Sequence, residues 1–230
     1  MSEFLLLLEN DVQLIALSLF GSIYVCRLIW LFKFQSHKEQ TYSAGNAGKG
    51  IAYSMFNVAM PWAMESSRKK PIFYGQFVIF HLGVTAAITA TFIIPYWPNI
   101  LQNKIVVLAF QGILGAAFFI GILRLYRRFK SPQLRLISSL DDYFSLVLMI
   151  FYFASAFLAV PNNYQSSEWP LLMFFGLTTL FLLYVPFSKI CHYLYYPFTR
   201  FFIGRTMGHR GVLAKKKNST EIVTKRGVGS

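Results

Sequence analysis

The sequence of 230 residues predicts an all-α integral membrane protein, a five-helix bundle with its amino terminus outside and its carboxyl terminus cytoplasmic. Three observations predict it. The chain is 55% hydrophobic and only 13% charged, whereas a water-soluble domain carries nearer a quarter charged residues. Five apolar runs each approach the roughly 20 residues that cross about 30 Å of hydrocarbon as a helix. The basic residues are distributed unevenly over the connections between those runs, as the positive-inside rule requires of a membrane protein.

The first run, Val12 to Phe32, follows the acidic Glu3, Glu9 and Asp11. It has neither a basic leading region nor a small-residue cleavage pattern, and so reads as a retained helix, not a removable signal peptide. Ser43 to Gly50 has the composition of a loop. After it Ile51, Met55, Val58 and Trp62 recur at three- and four-residue steps, which predicts a short interfacial helix. The remaining runs are Pro71 to Ile94, Ile105 to Leu123, Tyr143 to Val160, and Pro170 to about Ser188. Residues 1–203 therefore form the membrane domain. From Arg205 the apolar content falls, and 204–230, with Lys215, Lys216 and Lys217, reads as a basic, disordered cytoplasmic tail.

Six basic residues fall between Lys33 and Lys70, five between Arg124 and Arg135, and nine from Lys189 onward, all on one predicted side. Lys104 stands alone on the other, and Arg27 lies near the basic end of the first helix, where it can snorkel. The net charge of +13 is thus a topology signal. A nucleic-acid binder would gather those charges on one folded face. Cys26 and Cys191 are too few for a disulfide framework, a zinc site or an iron–sulfur cluster.

Of four histidines, His37 and His209 fall in connections, while His81 and His192 fall in or at the end of apolar runs. An imidazole within a span faces the bundle and has a partner or a job: ligation, proton relay or an interhelical hydrogen bond. Two axial ligands of one haem must lie at similar depths. His81 is 11 residues past Lys70, or about 16 Å at helical rise. His192 is 8 residues before Arg200, or about 12 Å. The two agree within a turn, on antiparallel elements far apart in sequence. Gly75, Gly83, Ala86, Ala87 and Ala90 keep the second helix thin where a macrocycle would approach, and Gly112, Gly115 and Gly121 do so on the third. Close helix packing accounts for such residues equally well. Two imidazoles would fill both axial positions, which suits electron transfer, not substrate binding. Arg68, Lys69, Arg124, Arg127, Arg128 and Lys189 are the cations available to haem propionates.

Phe80-His81-Leu82-Gly83 and Pro186-Phe187-Ser188-Lys189-Ile190-Cys191-His192 resemble the two ligand motifs of the haem b gamma subunit of respiratory nitrate reductase and its relatives. These are five-helix quinol-linked cytochromes that also serve sulfite-reduction and heterodisulfide-reductase-type complexes. The Arg135, Ser138, Ser139 and Asp142 approach to the fourth helix is similar, more loosely. The resemblance implies His81 and His192 as axial ligands of haem b, with Gly83, Arg124 and Lys189 at the cofactor. It also implies a quinone of menaquinone type as substrate, an iron–sulfur partner subunit at the cytoplasmic face, and a prokaryotic inner membrane. The nitrate reductase form holds a second haem through histidines at positions that are Thr91 and Phe174 here. The resemblance therefore implies a single haem, the one nearer the cytoplasm, and leaves the direction of electron flow open.

The chain supplies no complete active site of its own, having no nucleophile motif or phosphate-binding glycine loop. Asp141 and Asp142 read as a helix start, since adjacent helical residues diverge by about 100°. Glu65 reads as a solvated charge before the second span, with a quinol-proton role the less favoured reading. Trp62, Trp97 and Trp169 mark interfaces. The alternative function is a cofactor-free membrane anchor or small transporter whose histidines relay protons.

Overall fold

A computed structural model describes residues 1–33, 40–60, 62 and 65–212, of which the side chains of Val58 and Ser66 are left out. His37 and Lys215 to Lys217 lie outside the described residues. Among the described residues every regular element is helical. They are α1 (Glu3–Lys33), α2 (Ala47–Phe56), α3 (Glu65–Lys69), α4 (Pro71–Tyr96), α5 (Lys104–Lys130), α6 (Pro132–Ile137), α7 (Leu140–Ala159), α8 (Trp169–Tyr184) and α9 (His192–His209). Five of them, α1, α4, α5, α7 and α8 with the turn that follows it, are long and apolar enough to cross a membrane. The chain divides into two units, one of Met1–Gln35 with Lys69–His192, the other of Ser36–Arg68 with the segment from Tyr193 onward.

In the first unit, α4 packs on α5 and α7, α5 on α7, α7 on α8, and α8 on α1. The contacts fix directions. Gly83 meets Ala117 while Phe73 meets Arg127, so α4 and α5 are antiparallel. Gln111 donates to the Phe157 carbonyl at 3.2 Å while Arg128 reaches Asp142 at 3.7 Å, so α5 and α7 are antiparallel. Tyr152 lies on Phe174 and Ser145 meets Tyr184, making α7 and α8 antiparallel. Ser2 meets Glu168, Gln13 meets Thr179 and Arg27 meets Cys191, so α1 and α8 run parallel. The spans thus alternate as the apolar runs require.

Lipid tails are as apolar as leucine, so these helices gain little from apolar burial alone and are held by close packing and interhelical hydrogen bonds. Small residues permit it. A Cβ on Gly83 would lie 2.2 Å from the Ala117 Cβ, and one on Gly121 2.7 Å from Ile150. Ala86, Ala87 and Ala90 continue the buried face of α4. Gly75 and Gly112 face open space. Phe153, Phe174 and Phe175 fill the centre of the unit.

Two spans begin earlier than their apolar runs. α1 takes in the acidic segment through a π-helical turn, Leu8–Val12, which buries Glu9. α7 starts at Leu140 because Ser139 and Asp142 form a capping box, each side chain accepting the other's backbone N–H. At the far end of α8 the helix stops. Pro186 sits in a short 3-10 turn, Val185–Phe187, Ser188 is extended at φ −97°, ψ 170°, and a second turn, Lys189–Cys191, leads into α9. His192 is therefore the first residue of a separate helix and not, as expected, a residue of the fifth span. Val185 keeps helical backbone, at φ −54°, ψ −42°, but Pro186 after it lacks the N–H that would continue the ladder.

At the opposite end, the Glu168 carboxylate accepts from the Ser2 hydroxyl and N–H and faces the Met1 amino group, which together hold it below its ordinary value. A depressed carboxylate contributes stability above its unfolded pKa and loses it as pH falls through the folded value. The thermal stability of the native chain should therefore exceed that of Glu168→Gln at neutral pH, and the difference should vanish at acid pH below the depressed value. A difference that persists there would mean the contact is packing alone.

In the second unit, α2 and α9 meet through glycine. A Cβ on Gly50 would lie 2.2 Å from the Gly204 carbonyl oxygen, and one on Gly208 2.5 Å from the Asn46 oxygen. Ser54 is buried on the same side of α2 as Gly50. Ser43 to Gly50 is thus only partly loop. Asn46 caps α2 by accepting from the Lys49 N–H at 2.9 Å, and the packed face is Ala47, Gly50, Ile51 and Ser54. The expected face ending in Trp62 does not form, since Trp62 lies beyond the helix and is exposed. The expected tail is also shorter than its composition suggests. α9 continues to His209, whose carbonyl accepts from Ala44 at 2.9 Å and whose Nε2–H donates to Thr41 at 2.7 Å. Gly211, at φ +67°, turns the chain over Ala44.

Candidate haem-ligand pair

His81 lies on α4, off the face packed against α5, with Thr85 and Thr89 following it on the same exposed side. Each threonine hydroxyl donates to the carbonyl one turn earlier, Thr85 to His81 at 3.0 Å and Thr89 to Thr85 at 2.8 Å. The His81 Nδ1–H donates to the Phe77 carbonyl at 2.7 Å, and the Phe77 ring lies 4.1 Å from the imidazole, centre to centre. That bond fixes the tautomer and leaves the Nε2 lone pair for a ligand.

His192 is oriented in the same way. Its Nδ1–H donates to the Lys189 carbonyl at 3.1 Å, which makes Nε2 the acceptor nitrogen of the ring. The two imidazoles are near enough to interact electrostatically, and the Arg124 guanidinium is near enough to act on His81. Among the described residues no group of three or more His, Cys, Asp and Glu gathers in the manner of a metal-ion cage. A porphyrin iron, unlike such a cage, would ask the protein for no more than a pair of imidazole donors.

The segment before His192 is locked to the start of α7. The Lys189 ammonium pairs with Asp142 Oδ2 at 2.7 Å and donates to Ser139 Oγ at 2.8 Å. The Lys189 N–H donates to Asp141 Oδ2 at 3.0 Å, and the Tyr184 hydroxyl donates to the other Asp141 oxygen. Arg128 completes the cluster, reaching Asp142 at 3.7 Å and Ser138 at 3.0 Å. Asp142 thus caps α7, as expected of a helix start, and the two aspartates together also hold the turn that carries His192. That second role has no local signal, because Asp141 and Lys189 stand 48 residues apart.

The other site residues divide. Arg124 is half-buried and stacks on Phe80 with 4.6 Å between guanidinium carbon and ring centre. Gly83 faces Ala117 and Phe153, so its contact is with α5 and α7. Lys189 is committed to Asp142. Arg127 stacks on Phe73 at 4.4 Å, beside an open pocket of about 370 Å³ that Lys130 and Tyr126 also line, away from the histidines.

Thr91 and Phe174 are joined through a residue the sequence did not single out. Tyr152, 4% exposed, stacks on the fully buried Phe174 at 5.5 Å. Its hydroxyl meets Thr91 at 3.3 Å and Thr178 at 3.4 Å. The two positions that would hold a second haem are filled by this packed, hydrogen-bonded group.

No protein-family model, curated protein or solved structure matches the chain.

Proposed function

We propose that the chain is a membrane cytochrome b subunit that carries electrons between a quinone of menaquinone type and an iron–sulfur partner. One haem b would be held by His81 and His192. The observation that carries this reading is the shared state of two imidazoles from opposite ends of the sequence. Both are exposed, both give Nδ1–H to a backbone carbonyl, which makes Nε2 the acceptor nitrogen of each ring, and the His192 imidazole lies within electrostatic reach of His81. When bound, the haem would supply a reversible one-electron couple.

The chain's own residues do the rest. Phe77 and Lys189 orient the imidazoles through their carbonyls. Arg124 is the cation at hand for a propionate, being next to His81 and braced by Phe80. Lys189 acts through the ligand turn and not on the cofactor, since Asp142 and Ser139 take its ammonium. The partner subunit would dock at the end of the bundle bearing Arg127, Arg128, Lys130 and Lys189, which the positive-inside rule assigns to the cytoplasm. That orientation in a prokaryotic inner membrane is part of the proposal.

A pyridine haemochrome assay on the purified chain tests the reading. One haem b per polypeptide is expected, reducible and low-spin. Two per polypeptide would contradict the filled space around Tyr152. A colourless protein would favour the cofactor-free anchor with a histidine relay.

A further inference from the structure

The π-helical turn of α1 holds two buried acceptors that lack donors. Glu9, in the turn Leu8–Val12, and Gln13, immediately after it, lie one turn apart and are 6% and 8% exposed. Gln13 Nε2 donates to the Phe175 carbonyl and to the Thr179 hydroxyl, each at 2.8 Å. Only the amide nitrogen can donate, so these two bonds fix which end of the side chain faces α8 and leave Oε1 as an acceptor. Gln13 Oε1 and Glu9 Oε2 are both buried with no hydrogen-bond partner among the described residues. A π-turn is rare within an α-helix and recurs at functional positions.

Among the described residues no salt bridge reaches Glu9. The other acidic groups of this part of α1, Glu3 and Asp11, are exposed. α8, the helix packed on the turn, has no charged residue from Trp169 to Tyr184. Its polar side chains are Thr178, bonded to Phe174 and Tyr152, Thr179, bonded to Gln13, and Tyr184, bonded to Asp141 at the far end. Glu168, just before α8, is held by Ser2. Burying an unpaired charge costs far more than burying a hydrogen-bonded neutral acid.

We propose that Glu9 and Gln13 form a proton-binding site: the Glu9 carboxyl carries a proton on Oε2 and donates it to Gln13 Oε1. One proton converts two orphaned acceptors into a donor and its acceptor. The turn lies toward the end of α1 where Ser2 meets Glu168, so the proton exchanges with water on that side of the membrane. The site is independent of the histidines and of any haem.

Dicyclohexylcarbodiimide tests this, because it enters apolar surroundings and modifies carboxyl groups that carry a proton. Full-length protein in phospholipid vesicles at pH 7, mapped by peptide mass spectrometry, should be modified at Glu9 and not at Glu3 or Asp11. The infrared carbonyl band of a protonated acid should be present at that pH, disappear in Glu9→Gln, and move to higher frequency in Gln13→Leu as its hydrogen bond is lost. Glu9→Gln should insert and melt like the native chain, since its amide donates as the protonated acid does. Modification only in acid, or protection by sodium that potassium does not give, would overturn the proposal, the latter assigning the two oxygens to a metal cation. Failure of Glu9→Gln to fold would also overturn it.

Discussion

His81→Ala is expected to abolish the low-spin b-type spectrum of the purified protein, and His192→Ala to abolish it independently. If His81 and His192 hold the haem as proposed, the pair has no spare, and loss of either ring would take the low-spin bands with it. The loss should be complete, unlike the partial effect of disturbing the support. Loss of a group that steadies a metal-binding side chain typically costs about 10- to 100-fold in affinity, and Lys189→Ala, which frees the turn before His192 from Asp142 and Ser139, should cost about as much. His209→Ala should retain the full spectrum, because its Nε2–H is given to Thr41 and its place is on the α2–α9 pair. His37→Ala should retain it as well. Absorption spectra of the four variants, normalised to protein, decide the matter. Retention of the low-spin signal in either of the first two would mean the ligands lie elsewhere.

Gly83→Leu should have the largest effect on folding. A Cβ at this position already falls 2.2 Å from the Ala117 Cβ, with Phe153 at 3.4 Å behind it, so a leucine must drive α4 and α5 apart along their tightest contact. Overpacking of a closed interface costs about 1–3 kcal/mol and sometimes more, and the upper end applies where the obstructing atom belongs to a helix-borne alanine with no rotamer to change. Unfolding in a denaturing-detergent titration should show it. Gly83→Ala separates two roles for the residue. If Gly83 serves helix packing, the alanine variant loses stability and any haem it keeps has an unaltered spectrum. If it clears space for a macrocycle, haem is lost while the midpoint of unfolding stays put.

The spans were legible because composition and length alone determine them. A run of apolar residues near the thickness of a bilayer has few other uses, and all five runs correspond to long helices. Their ends were less so. Glu3, Glu9 and Asp11 read as a polar prelude to the first span, yet a π-turn and the neighbouring α8 bring Glu9 inside. The break at Pro186 was visible as a proline, but whether a helix kinks or stops depends on what receives its freed groups. Here Asp141 takes the Lys189 N–H, across a separation no local pattern reports.

Depth and motif singled out His81 and His192, and the hydrogen bonds that orient their rings run to Phe77 and Lys189, at local helical spacing from each. Gly83 sits two positions from His81, about 200° around the helix, and packs against Ala117 and Phe153. Tyr152 carried no signal, since an aromatic residue in an apolar span is ordinary until its hydroxyl is seen to join two helices.

The parallel seating of α1 on α8 has a consequence for how the protein comes to be assembled. α1 touches the rest of its unit chiefly through α8, whose residues leave the ribosome well over a hundred positions later. During that interval α4, α5 and α7 can zip together as each antiparallel neighbour arrives, while the earlier helix waits in the lipid with Gln13 still lacking its acceptors on Phe175 and Thr179. Closure of the unit is therefore the last event of its biogenesis, and a chain cut short before α8 leaves its opening helix adrift.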